Sequence, residues 1–357
     1  MTWDVIRVLV VDDSAPVRRL VTLALEIDPD IQVVGRAVDG RDALAQVKAL
    51  KPDVVTLDIE MPVVDGLQAL ARLRERYPRL PVIMFSTLTA RGAAKTLEAL
   101  TLGASDFVLK PTTTGSVAES VREVHDQLVP RIKGLVGVYR MFAPGSTHAG
   151  PQPAGLTSPA PAGTPAATPE VLLVGASTGG PDALTQLLPA LPGDLAVPVV
   201  VVQHMPPVFT TMFAARLDRV CALQVHEAGE GDLLRPGHVY VAPGGRHLSL
   251  VACAEGARTA LLDTPPENFC RPAVDVLFRS AAGVYGPGVL ALVMTGMGHD
   301  GAAGSHAVAL RSGRVLAQDQ ASSVVWGMPG AVVHAGLAAE VLALDELAPR
   351  LVELLAR

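Results

Sequence analysis

Residues 171–181 read VLLVGASTGGP. An unbroken apolar run enters a Gly-Ala-Ser-Thr-Gly-Gly turn, and Pro181 opens the helix that follows, a position where proline is favoured. Working outward, the same grammar recurs. VLVVDDSAPVRRL at 8–20 passes from an apolar run through a short turn into a helical pattern. Strands are expected at Ile6–Val11, Gln32–Ala37, Val54–Leu57, Val82–Ser86 and Phe107–Leu109. Helices are expected at Ala15–Glu26, Gly40–Leu50, Val64–Arg76, Ala90–Leu102 and about Ser116–Gly134. Later strands fall at Val171–Val174, Val197–Val202, Val239–Ala242, Val289–Met294 and Val315–Ala317. Their helices are Pro181–Ala190, Pro207–Cys221, Arg271–Gly283, Gly301–Ser312 and a last one near Asp345–Leu355. Strands alternating with helices imply doubly wound parallel sheets, here in two successive α/β domains.

Between them, residues 143–169 contain 7 Pro, 7 Ala, 4 Gly and 4 Thr and no Asp, Glu, Lys or Arg. Such a segment buries too little apolar surface to offset its ordering entropy and reads as a linker. The expected division is a first domain at 1–134, a linker at 135–169 that is Pro/Ala-rich from 143, and a second domain at 170–357. Of 357 residues, 49% are hydrophobic and 18% charged, which excludes a disordered or collagen-like chain. The net charge of −6 lies wholly in the second domain, which has 17 Asp+Glu against 11 Arg. No lysine follows Lys133. That excludes Schiff-base and Walker lysine chemistry there and argues against nucleic-acid binding, which needs clustered positive charge. Cys221, Cys253 and Cys270 lack metal or disulfide spacing and read as small buried hydrophobes. Neither a leader peptide nor a membrane-spanning apolar run is recognisable, so the expectation is a soluble cytoplasmic protein.

Functional groups in open parallel sheets collect at the carboxyl ends of the strands. In the first domain that rim gathers Asp12 and Asp13, Asp58, Ser86 and Lys110. Clustered carboxylates call for a hard divalent cation, and Mg²⁺ suits them. An ionised Asp58 is a nucleophile toward phosphorus, with Lys110 balancing the transferring charge. Asp13 or Ser14 also suits a helix N-cap before Pro16. VLVVDDSAPVRRL, PDVVTLDIEMPVVDGL and GASDFVLKP resemble the receiver domains of two-component response regulators. The resemblance implies a flavodoxin-like receiver with a five-stranded parallel sheet. It makes Asp58 the phospho-acceptor, places Mg²⁺ at Asp12, Asp13 and Asp58, and makes Ser86 and Lys110 the switch hydroxyl and phosphate-contacting lysine. Phe107 matches the aromatic switch position, though packing alone also explains a buried Phe.

In the second domain the strand–turn–helix around Ser177 has the G-x-S-x-G form that exposes a serine hydroxyl on a tight turn. A glycine-rich phosphate cradle is the rival, but GxxxxGK[ST] and GxGxxG are both missing. A serine nucleophile needs a base and a carboxylate that orients it. His204 follows PVVVVQ at a neighbouring strand end, ahead of His226, His238, His247, His299, His306 and His334. Asp300 follows VLALVMTGMGH at another strand end, where it also suits an N-cap for the helix over 301–312. Asp319 and Asp275 are weaker candidates, read as a loop turn and a helical surface carboxylate. GASTGGP, VVVVQHMPPVFTTMFAARLD, VYVAPGGRHL, RPAVDVLFRSAA, MTGMGHDGA and LAQDQASSVVWGMPGAV resemble the catalytic domain of chemotaxis protein-glutamate methylesterases.

That resemblance implies a doubly wound α/β/α methylesterase domain with Ser177 as nucleophile, His204 as base and Asp300 as its orienting carboxylate. The Met297 backbone amide becomes the oxyanion donor, with no cofactor in the esterase site. It implies a phosphorylation-activated hydrolase of receptor glutamate methyl esters, also acting on receptor glutamines. A chemotaxis histidine kinase is the implied phosphodonor and methyl-accepting receptors the substrate. Nucleic acid and membrane insertion have no part, and the protein is expected to be a monomer. A catalytically dead binding module and a receiver-linked transcription factor are the alternatives from other classes.

Overall fold

The computed structural model describes residues 5–111, 116–141 and 167–356. Most of the Pro/Ala-rich linker lies outside the described residues. Contacts divide the chain into two units, Met1–Ala149 and Gly150–Arg357. In the first, strands β1 (Ile6–Val11), β2 (Ile31–Ala37), β3 (Val54–Asp58), β4 (Val82–Ser86) and β5 (Asp106–Leu109) alternate with helices. The helices are α1 (Ala15–Leu25), α2 (Gly40–Leu50), α3 (Gly66–Arg76), α4 (Ala90–Thr101) and α5 (Val117–Met141). The sheet is parallel with strand order β2-β1-β3-β4-β5. Both faces are covered, so β3 and β4 are buried along their whole length and read as near-continuous apolar runs.

Side chains at the turns start the helices. Asp39 accepts from the Arg41 and Asp42 amides, Asp65 from Gln68 and Thr89 from Gly92. α5 runs past the expected end near Gly134 to Met141. Continuing the helix places Leu135 and Val136 in the core, which outweighs the weak helix preference of Gly134 and Gly137.

The second unit contains β6 (Val171–Ala176), α6 (Gly180–Leu187), β7 (Val199–Gln203), α7 (Phe209–Asp218), β8 (Gln224–Glu227) and β9 (His238–Val241). A hairpin of β10 (His247–Cys253) and β11 (Gly256–Leu262) comes next, then α8 (Val274–Tyr285), β12 (Val289–Val293) and α9 (Ala302–Leu310). The unit ends with β13 (Arg314–Gln318), α10 (Met328–His334), β14 (Glu340–Leu342) and α11 (Leu344–Leu355). Its main sheet is parallel, in the order β14-β13-β12-β6-β7-β9-β8. β8, the hairpin, β14 and α10 are additions to the sequence reading. β8 and β14 are short and half-polar, and β10–β11 pack one face only, so none carries a long apolar run. No helix among the described residues is long and apolar enough to cross a membrane.

Each sheet has one place where the chain reverses its direction of winding. In the first unit it lies between β1 and β3, and in the second between β6 and β12. A crevice forms there at the strands' carboxyl ends. Asp12 and Asp58 stand at the first, Ser177 and Asp300 at the second. Gly66 shows how tightly the first rim is packed, because a Cβ on it would run into the Asp58 carbonyl oxygen. Gly66→Ala is therefore expected to destabilise the first unit by about 1–3 kcal/mol, as overpacking does. Urea unfolding, with a lower midpoint at unchanged slope, is the measurement; an unaltered midpoint contradicts the packing argument.

Candidate functional site

The first rim is a knot of charge. Asp12, Asp13 and Asp58 each bring a carboxylate oxygen within 4.8 Å of the others. Asp12 and Asp58 are buried, Asp13 exposed. The Lys110 ammonium lies 2.8 Å from Asp12 Oδ2 and 2.9 Å from Asp58 Oδ2. The remaining oxygens are also engaged, Asp12 Oδ1 by the Ser14 amide at 2.8 Å and Asp58 Oδ1 by the Ile59 amide at 2.7 Å. Burial pushes the Asp58 carboxyl up to about 6, and the Asp12 charge adds to this while Lys110 pulls against it. Hard oxygen donors with surplus negative charge fit a divalent cation such as Mg²⁺, held by Asp12, Asp13 and Asp58. Ser86 is buried at the end of β4, where its hydroxyl accepts from Thr96 Oγ1 at 2.7 Å. Among the described residues no hydrogen bond joins it to Asp58. Phe107 is buried on β5.

The second rim brings three strand ends together. Ala176 and Gln203 form the last register pair of β6 and β7, so Ser177 and His204 are the next residues out on neighbouring strands. The His204 amide donates to the Ala176 carbonyl at 3.1 Å. Gly179, at φ 78°, turns the chain from Ser177 into α6. The His204 Nε2 lies 2.8 Å from Asp300 Oδ2. Asp300 thus takes one of the two ring nitrogens. Nδ1 is 3.3 Å from the Cys270 sulfur, and no hydrogen bond joins it to the Ser177 hydroxyl among the described residues. Burial opposes the His204 imidazolium, but Asp300 and the Cys270 sulfur outweigh it and hold the ring up at about 10. Gly296 abuts Ser177, because a Cβ there would lie 2.8 Å from Ser177 Cβ. The next residue, Met297, has a backbone N–H with no protein acceptor among the described residues.

Two family models match the chain, CheB methylesterase over residues 172–351 and response regulator receiver domain over 8–122. A protein-glutamate methylesterase/protein-glutamine glutaminase of Nocardioides sp. is 55% identical, the alignment covering 99% of this chain and 96% of the relative. The chain belongs to this methylesterase/glutaminase family. A relative of the same name from Trichodesmium erythraeum is 46% identical, with 97% and 98% covered. The crystal structure of the Thermotoga maritima CheB methylesterase catalytic domain aligns with a TM-score of 0.51 at 41% identity, covering 53% of this chain and all of that one.

Within this member of the family, the other histidines sort by their surroundings. His247 is buried, 3.0 Å from the Pro265 carbonyl through Nε2 and accepting from the Ala273 amide through Nδ1. His334 packs edge-on against Trp326, and His226 and His238 pack against Tyr240. His299 is exposed. Asp319 sits in a turn, as expected, accepting from the Ser322 amide. Three expectations are corrected. Asp275 is 2% exposed, not a surface carboxylate. Its Oδ1 accepts from the Gly301 and Gly304 amides and its Oδ2 from Asn268. The three cysteines are half-buried instead of fully buried, and Cys270 lies against the His204 ring because its turn folds over that strand end. Asp300 caps α8 through the Val274 and Asp275 amides; ahead of α9 it shares the Gly301 amide with Asp275, and Asp275 alone reaches the Gly304 amide inside that helix.

Sequence reasoning passed over Asn268, Cys270 and Gln203. Gln203 is the sole polar residue in the buried run VVVVQ, which is the signal that it has a partner to serve. Its Nε2 donates to the Ser177 carbonyl at 2.9 Å and to the His204 carbonyl at 3.3 Å. One buried amide thereby sets the spacing between the two strand ends. Gln203→Leu keeps the volume and removes both bonds. It is expected to lower kcat for ester hydrolysis at least about tenfold while the protein stays folded, as loss of positioning does. Steady-state kinetics together with circular dichroism checks this; wild-type kcat would remove the positioning role.

Proposed function

We propose that the chain hydrolyses glutamate methyl esters, and deamidates glutamines, on the cytoplasmic segments of methyl-accepting chemoreceptors, and that phosphorylation of Asp58 raises this activity. The observation that carries the reading is the 2.8 Å contact of His204 Nε2 with Asp300, made one register step from Ser177. Asp300 fixes the tautomer, so the neutral ring offers Nδ1 as the base. Nδ1 takes the Ser177 proton as Oγ attacks the ester carbonyl. The oxyanion forms against the Met297 amide. The protonated ring then gives its proton to the departing methoxide, releasing methanol, or to the departing amide of glutamine, releasing ammonia. Water, deprotonated by the same nitrogen, hydrolyses the acyl-enzyme to glutamate and Ser177.

In the receiver unit Asp58 is the acceptor, with a histidine kinase as phosphodonor. Asp12, Asp13 and Asp58 would hold Mg²⁺, which when bound neutralises charge on the transferring phosphoryl group. Lys110 holds a proton-bearing ammonium against the same oxygens, and Ser86 and Phe107 are the groups that respond to the new phosphate. The protein works in the cytoplasm as a monomer. Relatives named for this activity along nearly the whole chain support the reading.

Ser177→Ala is expected to abolish methanol release from a methylated receptor fragment, and retained turnover would sink the assignment. Asp58→Ala is expected to keep the basal rate and lose the response to a small-molecule phosphodonor such as acetyl phosphate. An undiminished response would move the acceptor elsewhere.

The pH dependence has a definite sign. The His204 ring acts as a base only when neutral, and its conjugate acid is held well above the ordinary value, to about 10. The rate constant kcat/KM should therefore keep rising with pH through neutrality into the alkaline range. Asp300→Asn removes the main partner that stabilises the imidazolium. It is expected to shift that rising limb to lower pH while reducing kcat ~10³-fold or more. A limb that stays in place would separate Asp300 from the base.

A further inference from the structure

Glu267 and Cys270 exchange both backbone hydrogen bonds, at 3.1 and 2.9 Å. The two residues between them, Asn268 and Phe269, have φ of 52° and 63°. Positive φ at both central positions is the type I′ hairpin turn, in which asparagine suits the first position and glycine the second. Asn268 obeys that preference. Phe269 does not: a bulky side chain in the left-handed region is strained, and here the ring is 102% exposed, so no packing offsets the strain.

The turn is firmly built around this residue. Glu267 is clamped by two 2.6 Å bonds from Arg279. Asn268 Nδ2 bridges Asp275 at 2.9 Å and Asp300 at 3.0 Å. Cys270 touches His204. Phe269 therefore has a neighbour on each side bound to the groups of the second rim, Asn268 to Asp300 and Cys270 to His204. The charged groups around the turn are occupied within the unit. Arg246 pairs with Asp263, Arg279 with Glu267, and Arg271 donates to the Thr264 carbonyl. What the turn offers a partner is a bare aromatic ring.

We propose that Phe269 is a specificity-determining contact, docking against an apolar patch of the receptor segment next to the esterified glutamate. This rests on the receptor-directed reading above. A single exposed apolar residue is ordinary on a protein surface. One that is also strained, fully exposed and braced on both sides by the reactive groups is a presented anchor, of the aromatic kind that dominates protein contacts.

The test compares full-length wild type with Phe269→Gly and Phe269→Asn, both compatible with positive φ. Methanol release is measured from a methylated receptor cytoplasmic fragment and from a short peptide carrying one glutamyl methyl ester. Expected are a roughly tenfold or greater rise in KM for the receptor fragment, the loss of one buried aromatic contact, and kcat/KM on the short ester within about twofold of wild type. Phe269→Gly should also raise the thermal midpoint, since it relieves the strain. Unchanged KM for the receptor fragment overturns the proposal. So does an equal loss on both substrates, which would make the turn a support for His204 and Asp300. An effect confined to the phosphodonor-stimulated rate also overturns it, assigning the ring to the receiver unit. Absence of methanol release by wild type on either substrate would instead remove the esterase reading itself.

Discussion

The catalytic unit depends on how one buried carboxylate is satisfied. Asp300 is 2% exposed, and its Oδ1 accepts from Asn268 Nδ2 and from the Asp275 and Gly301 amides. Its Oδ2 accepts from the Val274 amide and His204 Nε2. An isolated buried carboxylate would take up a proton. Burial does push this one up, but the bond to His204, its charge and the backbone donors bring it down to about 2. The ionised form is thus the folded form, and the donors it collects tie together the end of β12, the start of α8, the 267–270 turn and the end of β7. Asp275, on the first turn of α8, repeats the arrangement one step on by capping α9. Neither helix has a side-chain cap from its own N-cap residue, so the two carboxylates replace the missing caps and fix the helices to the rim that carries Ser177 and His204.

The receiver rim uses the same materials to the opposite end. There too carboxylates meet at the switch point of a parallel sheet, but they meet one another. Asp58 has one backbone donor and shares Lys110 with Asp12. Burial and the neighbouring charge leave it up at about 6. A carboxylate with many fixed donors is a scaffold; one with few donors and a like charge beside it is primed for a change of charge state. That difference follows from the partners each residue has, since both are aspartates at strand ends.

The sequence is most legible where a rule acts along the chain. Fully buried parallel strands read as apolar runs, and the residues that end or follow them lie on the rim, which is why Ser177, His204, Asp58 and Lys110 can be placed there from pattern alone. Asn268, Cys270 and Asp275 are hidden because their roles are set across elements. Asp275 lies in an amphipathic helix and looks solvent-facing until α9 packs over it and offers two amides. Cys270 approaches His204 only through a two-residue turn whose second position holds phenylalanine where glycine would have announced it. Gln203, passed over, is the polar end of an apolar run, and the satisfaction of buried polar groups is the rule that would have pointed to it. β8 and β14 escaped because a half-polar strand of three or four residues carries too little alternation to separate from a loop.

The charge asymmetry of the chain fits these two chemistries. On the proposed reading a phosphoryl group brings charge into the receiver rim, which keeps a lysine against its aspartates at 2.8 and 2.9 Å. On the proposed reading the esterase substrate is neutral, and charge arises only at the oxyanion, where a backbone amide meets it without any net charge of its own. A unit with 17 acidic residues, 11 arginines and no lysine can hold such a site, and several of its arginines are committed to ion pairs. Arg279 clamps Glu267, Arg246 clamps Asp263 and Arg350 clamps Glu340. The product is a carboxylate, so a cation left free beside Ser177 would stabilise product in the ground state and slow its departure. Turnover is better served by dipoles aimed at the transition state, and on the proposed reading the Met297 amide is of that kind.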